Sequence, residues 1–175
     1  MPPTSDPGHV DPDDLAAVER QLHRPPRATR AVAHRCGCGL PDVVETSPRL
    51  DDGTPFPTLY YLTCPKARAA IGRLEASGLM RQMTERLGDD AELAARYEAA
   101  HAAYLARRDE IEPLGTTVTA GGMPQRVKCL HVLVAHALAA GEGVNPFGDE
   151  ALELLDDWGA DGPCVDIRSG GGEST

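Results

Sequence analysis

Five cysteines and six histidines are the side chains of this 175-residue chain best suited to chemistry. Four of the cysteines and one histidine fall in three short runs, Cys36-Gly37-Cys38-Gly39, Cys64-Pro65 and Cys129-Leu130-His131, with His34 and His136 nearby. Thiolate and imidazole are the usual ligands of zinc, which takes four in a tetrahedron; two on one turn, completed by others that the fold brings in, is a common layout. Gly37 and Gly39 let the backbone curl so that two sulfurs face one ion, and leave amide N–H groups free to donate to thiolates. The same donors suit an iron–sulfur cluster, a less favoured reading than zinc.

Helix geometry restricts which of these can act together. Inside a regular helix about 200° of rotation separates Cys129 from His131, so they share an ion only if the helix begins near Cys129. His136 returns to the face of Cys129 but lies about 10.5 Å further along the axis, at the limit of reach. For both histidines the alternative is a buried imidazole hydrogen-bonded within the core. Cys64 precedes a proline suited to the first position of a helix, where the macrodipole and unpaired N–H groups favour thiolate. That suits a ligand, and equally a nucleophile with His131 or His136 as its base. Cys164, in the polar C-terminal stretch, is read as incidental. The sequence contains no phosphate-binding loop, dinucleotide fingerprint, H-E-x-x-H or G-x-S-x-G.

The elements that must position these residues follow from period and punctuation. A helix is expected over 12–23, with Asp11 as N-cap and Leu15, Val18 and Leu22 on one face, ended by Pro25-Pro26. Three short strands are expected over 27–35, 42–46 and 58–63, separated by turns at Gly37, Gly39, Pro41 and Asp51-Asp52-Gly53. After Cys64 the period becomes helical: 65–77, 79–87, 90–112, 125–140 and 149–158. On the long helix Leu93, Tyr97, Ala100, Tyr104 and Ile111 share one face and are read as core. The 125–140 segment is the most apolar, follows Gly121-Gly122 and is capped by Gly141; it should be central. This is an α+β domain, a small antiparallel sheet of about three strands followed by four to five helices. A single domain over 11–158 is expected, with a disordered tip over 1–10 and a flexible acidic, Gly-rich tail over 159–175.

Composition narrows the function classes. Apolar residues make up 41% and aromatics only 4%, so aliphatic and alanine packing must build the core. Seventeen Lys and Arg against 27 Asp and Glu give a formal charge of -10, which disfavours nucleic acid and anionic lipid as partners. No run approaches the ~18 to 20 apolar residues of a membrane span, and MPPTSDPGHVDPDD has neither part of a signal peptide. A cytoplasmic location is expected, without membrane contact, and an odd number of cysteines there reads as thiols or ligands rather than disulfides.

The segments RCGCGLPDVVET, DGTPFPTLYYLTCP, LMRQMTERLG, IEPLGTT, GGMPQRVKCLHVLVAHALAAG and GVNPFGDEAL together resemble a bacterial family, frequent in actinobacteria, known as domain of unknown function 501. The resemblance runs from about Asp11 to Trp158. Members are often encoded beside a septum-formation initiator and an exopolyphosphatase-like phosphatase, which implies a cytoplasmic housekeeping setting and no particular reaction. The family pattern matches at Cys36, Cys64, Cys129 and His131, which the resemblance makes the first ligand set, with Cys38 and His136 in reserve. The expected function is that of a zinc-stabilised binding or regulatory protein for a protein partner or small molecule, the ion tying the early sheet to the central helix. The alternatives are a zinc enzyme with one open metal position, served by His136, Asp149 or Glu150 as acid or base, and a metal-free Cys-His thiol protein. Four protein ligands would favour the first reading; three beside a pocket would favour the zinc enzyme.

Overall fold

Turn chemistry divides the early chain as its glycines and prolines predict. In the computed structural model, which describes residues 10–167, Asp11 caps α1 (Pro12–Leu22) by accepting from the Asp13 N–H. Strands β1 (Thr29–Arg35), β2 (Pro41–Thr46) and β3 (Tyr60–Leu62) form one antiparallel sheet in the order β1-β2-β3. The β1–β2 turn is closed by the Cys36 N–H on the Leu40 carbonyl and the Gly39 N–H on the Cys36 carbonyl, with Gly39 at φ 89°, a conformation glycine adopts without strain. Every residue of the central strand β2 is buried. Because β1 and β3 both run antiparallel to β2, their C-terminal ends, and the Cys36 and Cys64 that follow them, lie at the same end of the sheet.

The elements that follow are all helices: α2 (Pro65–Glu75), α3 (Leu79–Asp89), α4 (Ala91–Ile111), α5 (Leu130–Ala140) and α6 (Pro146–Glu153). The apolar α5 is central, packing on β3 and the rest of the sheet and against α2 and α6, with Leu130, Leu133, Val134, Ala135, His136 and Ala137 buried. Where α6 crosses α5, Gly148 is required by contact: a Cβ there would lie 2.3 Å from the Leu133 carbonyl oxygen and 2.7 Å from the Ala137 Cβ.

Two helix starts and one buried face differ from the sequence pattern, each for a local reason. Helix α5 begins at Leu130 rather than at 125, because the chain from 125 to 128 folds back on the Gly121-Gly122 turn. Lys128 N–H bonds to the Gly121 carbonyl, Arg126 N–H to that of Gly122, and Val127 N–H to Thr84 Oγ1. Helix α6 begins at Pro146, because the Asn145 side chain caps it by accepting from the Gly148 N–H. On α4 the buried face is Leu93, Tyr97, Ala100, Tyr104 and Arg108, while Ile111 is half-buried. The Arg108 guanidinium is fully buried, and satisfies its charge on the Thr116 and Val118 carbonyls and the Asp109 carboxylate.

The expected disordered tip falls, but for Val10, outside the described residues, as does the tail from 168 onward. Residues 159–167 are described and lie against the domain: Gly159 is buried on Cys36, and Arg20 donates to the Asp166 carbonyl. Among the described residues no helix is long and apolar enough to cross a membrane.

Candidate metal centre and thiol group

Two helix ends meet beside the sheet. Glu75 is the last residue of α2; Cys129 is the N-cap of α5 and His131 its second residue. The Cys129 side chain makes no cap hydrogen bond, and Glu75 caps the helix in its place. Its Oε1 accepts from the Leu130 N–H at 2.7 Å and faces His131 Nδ1 at 3.0 Å. A carboxylate at a helix N-terminus is favoured by the unpaired amides and the positive end of the dipole. His131 Nε2 lies 3.2 Å from the Arg68 carbonyl, so that α2 supplies both contacts. With a thiol neighbour and two oxygen acceptors, His131 is pushed up to about 9, first by Cys129 and then by Glu75, against the opposing effect of burial.

One ligand atom each from Glu75, Cys129 and His131 falls within 4.8 Å of the other two, a grouping that could hold a metal ion. The late start of α5 makes this possible, since two residues deep in a helix would have faced apart. Cys129 and His131 also border a cavity of about 330 Å³ lined by Tyr60, Tyr61, Leu62 and Arg68 among others.

The structure divides the ligand set expected from sequence. Cys129 and His131 come together with Glu75, and Cys36 and Cys64 lie outside that group. The separation is set by α2, whose eleven residues span about 16 Å between the Cys64 end and the Glu75 end. Cys38 and Cys64 are instead neighbours of Cys164, whose position in a polar stretch gives no sign of a role, and Cys36 is a neighbour of Cys38. Cys38 interacts side chain to side chain with Cys36 and with Cys164, and Cys164 in turn with Cys64. The Cys38 N–H points at the Cys36 sulfur at 3.5 Å, and Gln21 Nε2 donates to Cys164 Sγ at 3.1 Å. Burial pushes the Cys36 thiol up to about 11. Within the Cys64–Cys164 contact Cys64 is raised, by Cys164 and then by burial, and Cys164 is lowered to about 6, first by Cys64.

His136, the other reserve ligand, takes the core reading. It is 1% exposed, stacks on Tyr60 with Tyr104 edge-on, and accepts at Nδ1 from the Asn145 amide at 3.2 Å. Burial lowers it to about 4, so it is neutral. Glu75 and Cys164 are the members that sequence reasoning misses. Nothing in the sequence distinguishes Glu75 from other helix-terminal acids, and the signal for Cys164 is only that it is a fifth thiol.

The sequence profile described as "Protein of unknown function (DUF501)" matches residues 32–153. The chain belongs to this family. The matched span includes Cys36, Cys38, Cys64, Glu75, Cys129 and His131 and ends before Cys164. No curated protein and no solved structure matches the chain.

Proposed function

We propose that Glu75, Cys129 and His131 hold a zinc ion whose remaining position opens to the adjoining cavity, and that the protein is a cytoplasmic zinc-dependent binding or hydrolytic protein acting on a small molecule. The observation that carries this reading is the convergence of three zinc-type donors, and among the described residues three only, two of which, Cys129 and His131, border a cavity. Sites closed by four protein ligands are structural, whereas three leave a position for water or substrate. The surroundings of the donors fit the ion. A ligating histidine donates its second ring N–H to a carbonyl or carboxylate, and the Arg68 carbonyl stands at Nε2 while Nδ1 faces Glu75. The Leu130 N–H orients the carboxylate. When bound, zinc would acidify a water or polarise a substrate oxygen. Tyr60, Tyr61 and Leu62 would supply apolar walls, and exposed Arg68 a positive charge for an anionic group.

A second reading has its own observation. Both His131 nitrogens face oxygen acceptors and Cys129 sits at the start of a helix, an arrangement that also stabilises a metal-free thiolate–imidazolium pair. Zinc content separates the two. The full chain, purified reduced and supplied with zinc, should lose one ion per chain on Cys129→Ser or His131→Ala, with circular dichroism unchanged. If both variants retain the zinc content of the unsubstituted protein, the metal centre is refuted.

A further inference from the structure

The outer face of the sheet carries a cavity that the metal centre does not use. Residues paired across the strands point the same way, so Thr29 and Thr46, and likewise Val44 and Tyr61, share one face. Their neighbours Val43, Tyr60 and Leu62 belong to the core on the other. Helix α1 packs against β2 but stops at Leu22. Beyond it the outer face is left to two irregular stretches, 23–28 and 47–57, and between them lies a cavity of about 360 Å³. Pockets that take small molecules measure about 300–1,000 Å³. Leu22, Leu50, Phe56 and Tyr61 wall this one, half-buried and outside the main core. Contiguous apolar surface beside a polar rim marks a binding site.

The rim is basic. Arg24 and Arg27 line the cavity and no carboxylate does, although acids outnumber bases in the chain by 27 to 17. The neighbouring arginines are engaged: Arg30 pairs with Glu45, Arg35 with Asp14 and Arg49 with Glu112. Among the described residues Arg24 and Arg27 make no ion pair. The Arg24 guanidinium lies over the Tyr61 ring, 5.9 Å from its centroid, and reaches only the Tyr61 hydroxyl and the Pro25 carbonyl, at 3.4 and 3.5 Å. Asp52 and Arg27 act on each other through space, and the Asp52 carboxylate accepts from the Thr54 N–H at 2.9 Å. The stretch carrying both arginines is stiff. Pro25-Pro26 fixes φ at two consecutive positions. Ala28 is held at φ 53°, a left-handed conformation that its Cβ disfavours, and the Ser47 N–H anchors its carbonyl at 2.7 Å. A site held in place beforehand loses little freedom on binding.

We propose that this cavity binds a small amphiphilic anion, a carboxylate or phosphate monoester on an apolar body, with the head group held by Arg24 and Arg27 at the rim and the body seated among Leu22, Phe56 and Tyr61. Guanidinium forks pair with either head group through two parallel N–H···O bonds. The body covers the half-buried apolar walls and takes their surface out of water. The overall charge of -10 repels a polyanion, whereas two local arginines suffice for one head group. Tyr61 is also a wall of the cavity beside Cys129 and His131, but the site uses none of the donors of that centre and is independent of it.

Calorimetric titration of the full-length, reduced protein at neutral pH with decanoate, decyl phosphate and the uncharged decanol, each below its micelle concentration, tests the site. Decanoate, decyl phosphate or both should bind at one per chain, and decanol at least about 10-fold more weakly, since it forgoes the charge-assisted bonds. The tighter of the two anions identifies the head group. Replacing the two exposed arginines together, Arg24→Gln with Arg27→Gln, should weaken the anions about 10–100-fold, with circular dichroism unchanged. Phe56→Ala should weaken all three probes, and Arg68→Gln, at the other cavity, should weaken none. Absence of binding by both anions overturns the proposal, as does decanol binding as tightly as they do, or anion affinity unchanged in the double arginine variant. Loss of binding in Arg68→Gln with retention in the double variant places the ligand in the cavity at α5 and overturns this site. Zinc content takes no part in any of these outcomes, so the metal centre stands or falls separately.

Discussion

Replacing Gly148 by alanine sets two physical effects of opposite sign against each other. In a helix interior the change is worth up to about 1 kcal/mol of stabilisation, because alanine loses less backbone freedom on folding. At Gly148 the new Cβ would sit 2.3 Å from the Leu133 carbonyl oxygen, 2.9 Å from its carbon and 2.7 Å from the Ala137 Cβ. Two of these three atoms are backbone of the central helix, so no side-chain rotation relieves the contact. To restore ordinary van der Waals spacing α6 must retreat by about 1 Å, loosening the crossing that buries Phe147 and Ala151; overpacking of this kind costs about 1–3 kcal/mol. A net loss of about 1–2 kcal/mol is expected once the propensity gain is subtracted. Gly72, in the middle of α2, is the control: a Cβ there meets nothing within 4 Å. Gly72→Ala should therefore stabilise by about 0.5–1 kcal/mol. Urea unfolding followed by circular dichroism reads both, and with slopes of about 1–3 kcal/mol per molar the two midpoints should move in opposite directions. A Gly148→Ala protein at least as stable as the parent would refute the claim that α5 and α6 are in backbone contact.

Neutral His136 predicts a pH dependence. Its folded pKa of about 4 lies below the unfolded value of 6.5, so the unfolded chain takes up a proton that the folded one refuses. The associated stability is full above pH 6.5 and is lost as pH falls towards 4, by up to about 3 kcal/mol. Urea midpoints between pH 7.5 and 4 should fall less steeply for His136→Gln than for the parent, and parallel slopes would contradict the assignment. Truncation separates the two parts of the C-terminal stretch. Ending the chain after Ile167 should leave the midpoint unchanged, whereas ending it after Trp158 removes the Gly159 packing and Cys164 and should lower it. Equal midpoints for the two truncations would show that the segment contributes nothing to stability.

Much of the architecture was legible because its signals are local. The Asp11 cap, the proline after Cys64, the Gly-rich β1–β2 turn and the three- and four-residue spacings of Leu93, Tyr97, Ala100 and Tyr104 each depend on residues within a turn or two of one another. Such neighbours decide backbone conformation and which face of an element is apolar. The same locality explains the errors at helix starts. The apolar run from Gln125 reads as helix until the Gly121-Gly122 turn and Thr84 compete for its amides, and Thr84 lies on another helix.

The candidate site depended on distance across the fold. The sequence by itself determined that the chain carries soft ligands at element ends, that it belongs with a particular family, and that Cys129 and His131 could act together only at a helix start. Tertiary structure decided which thiols meet. The α2 rod keeps Cys64 away from Glu75, and the antiparallel sheet puts Cys36 and Cys64 at one end. The segment after α6 returns Cys164 to them, and the end of α2 supplies Glu75 to His131. A ligand group closes only when side chains from distant parts of the chain come within a few ångströms. That distance is set by how helices and strands pack, and no spacing along the chain encodes it.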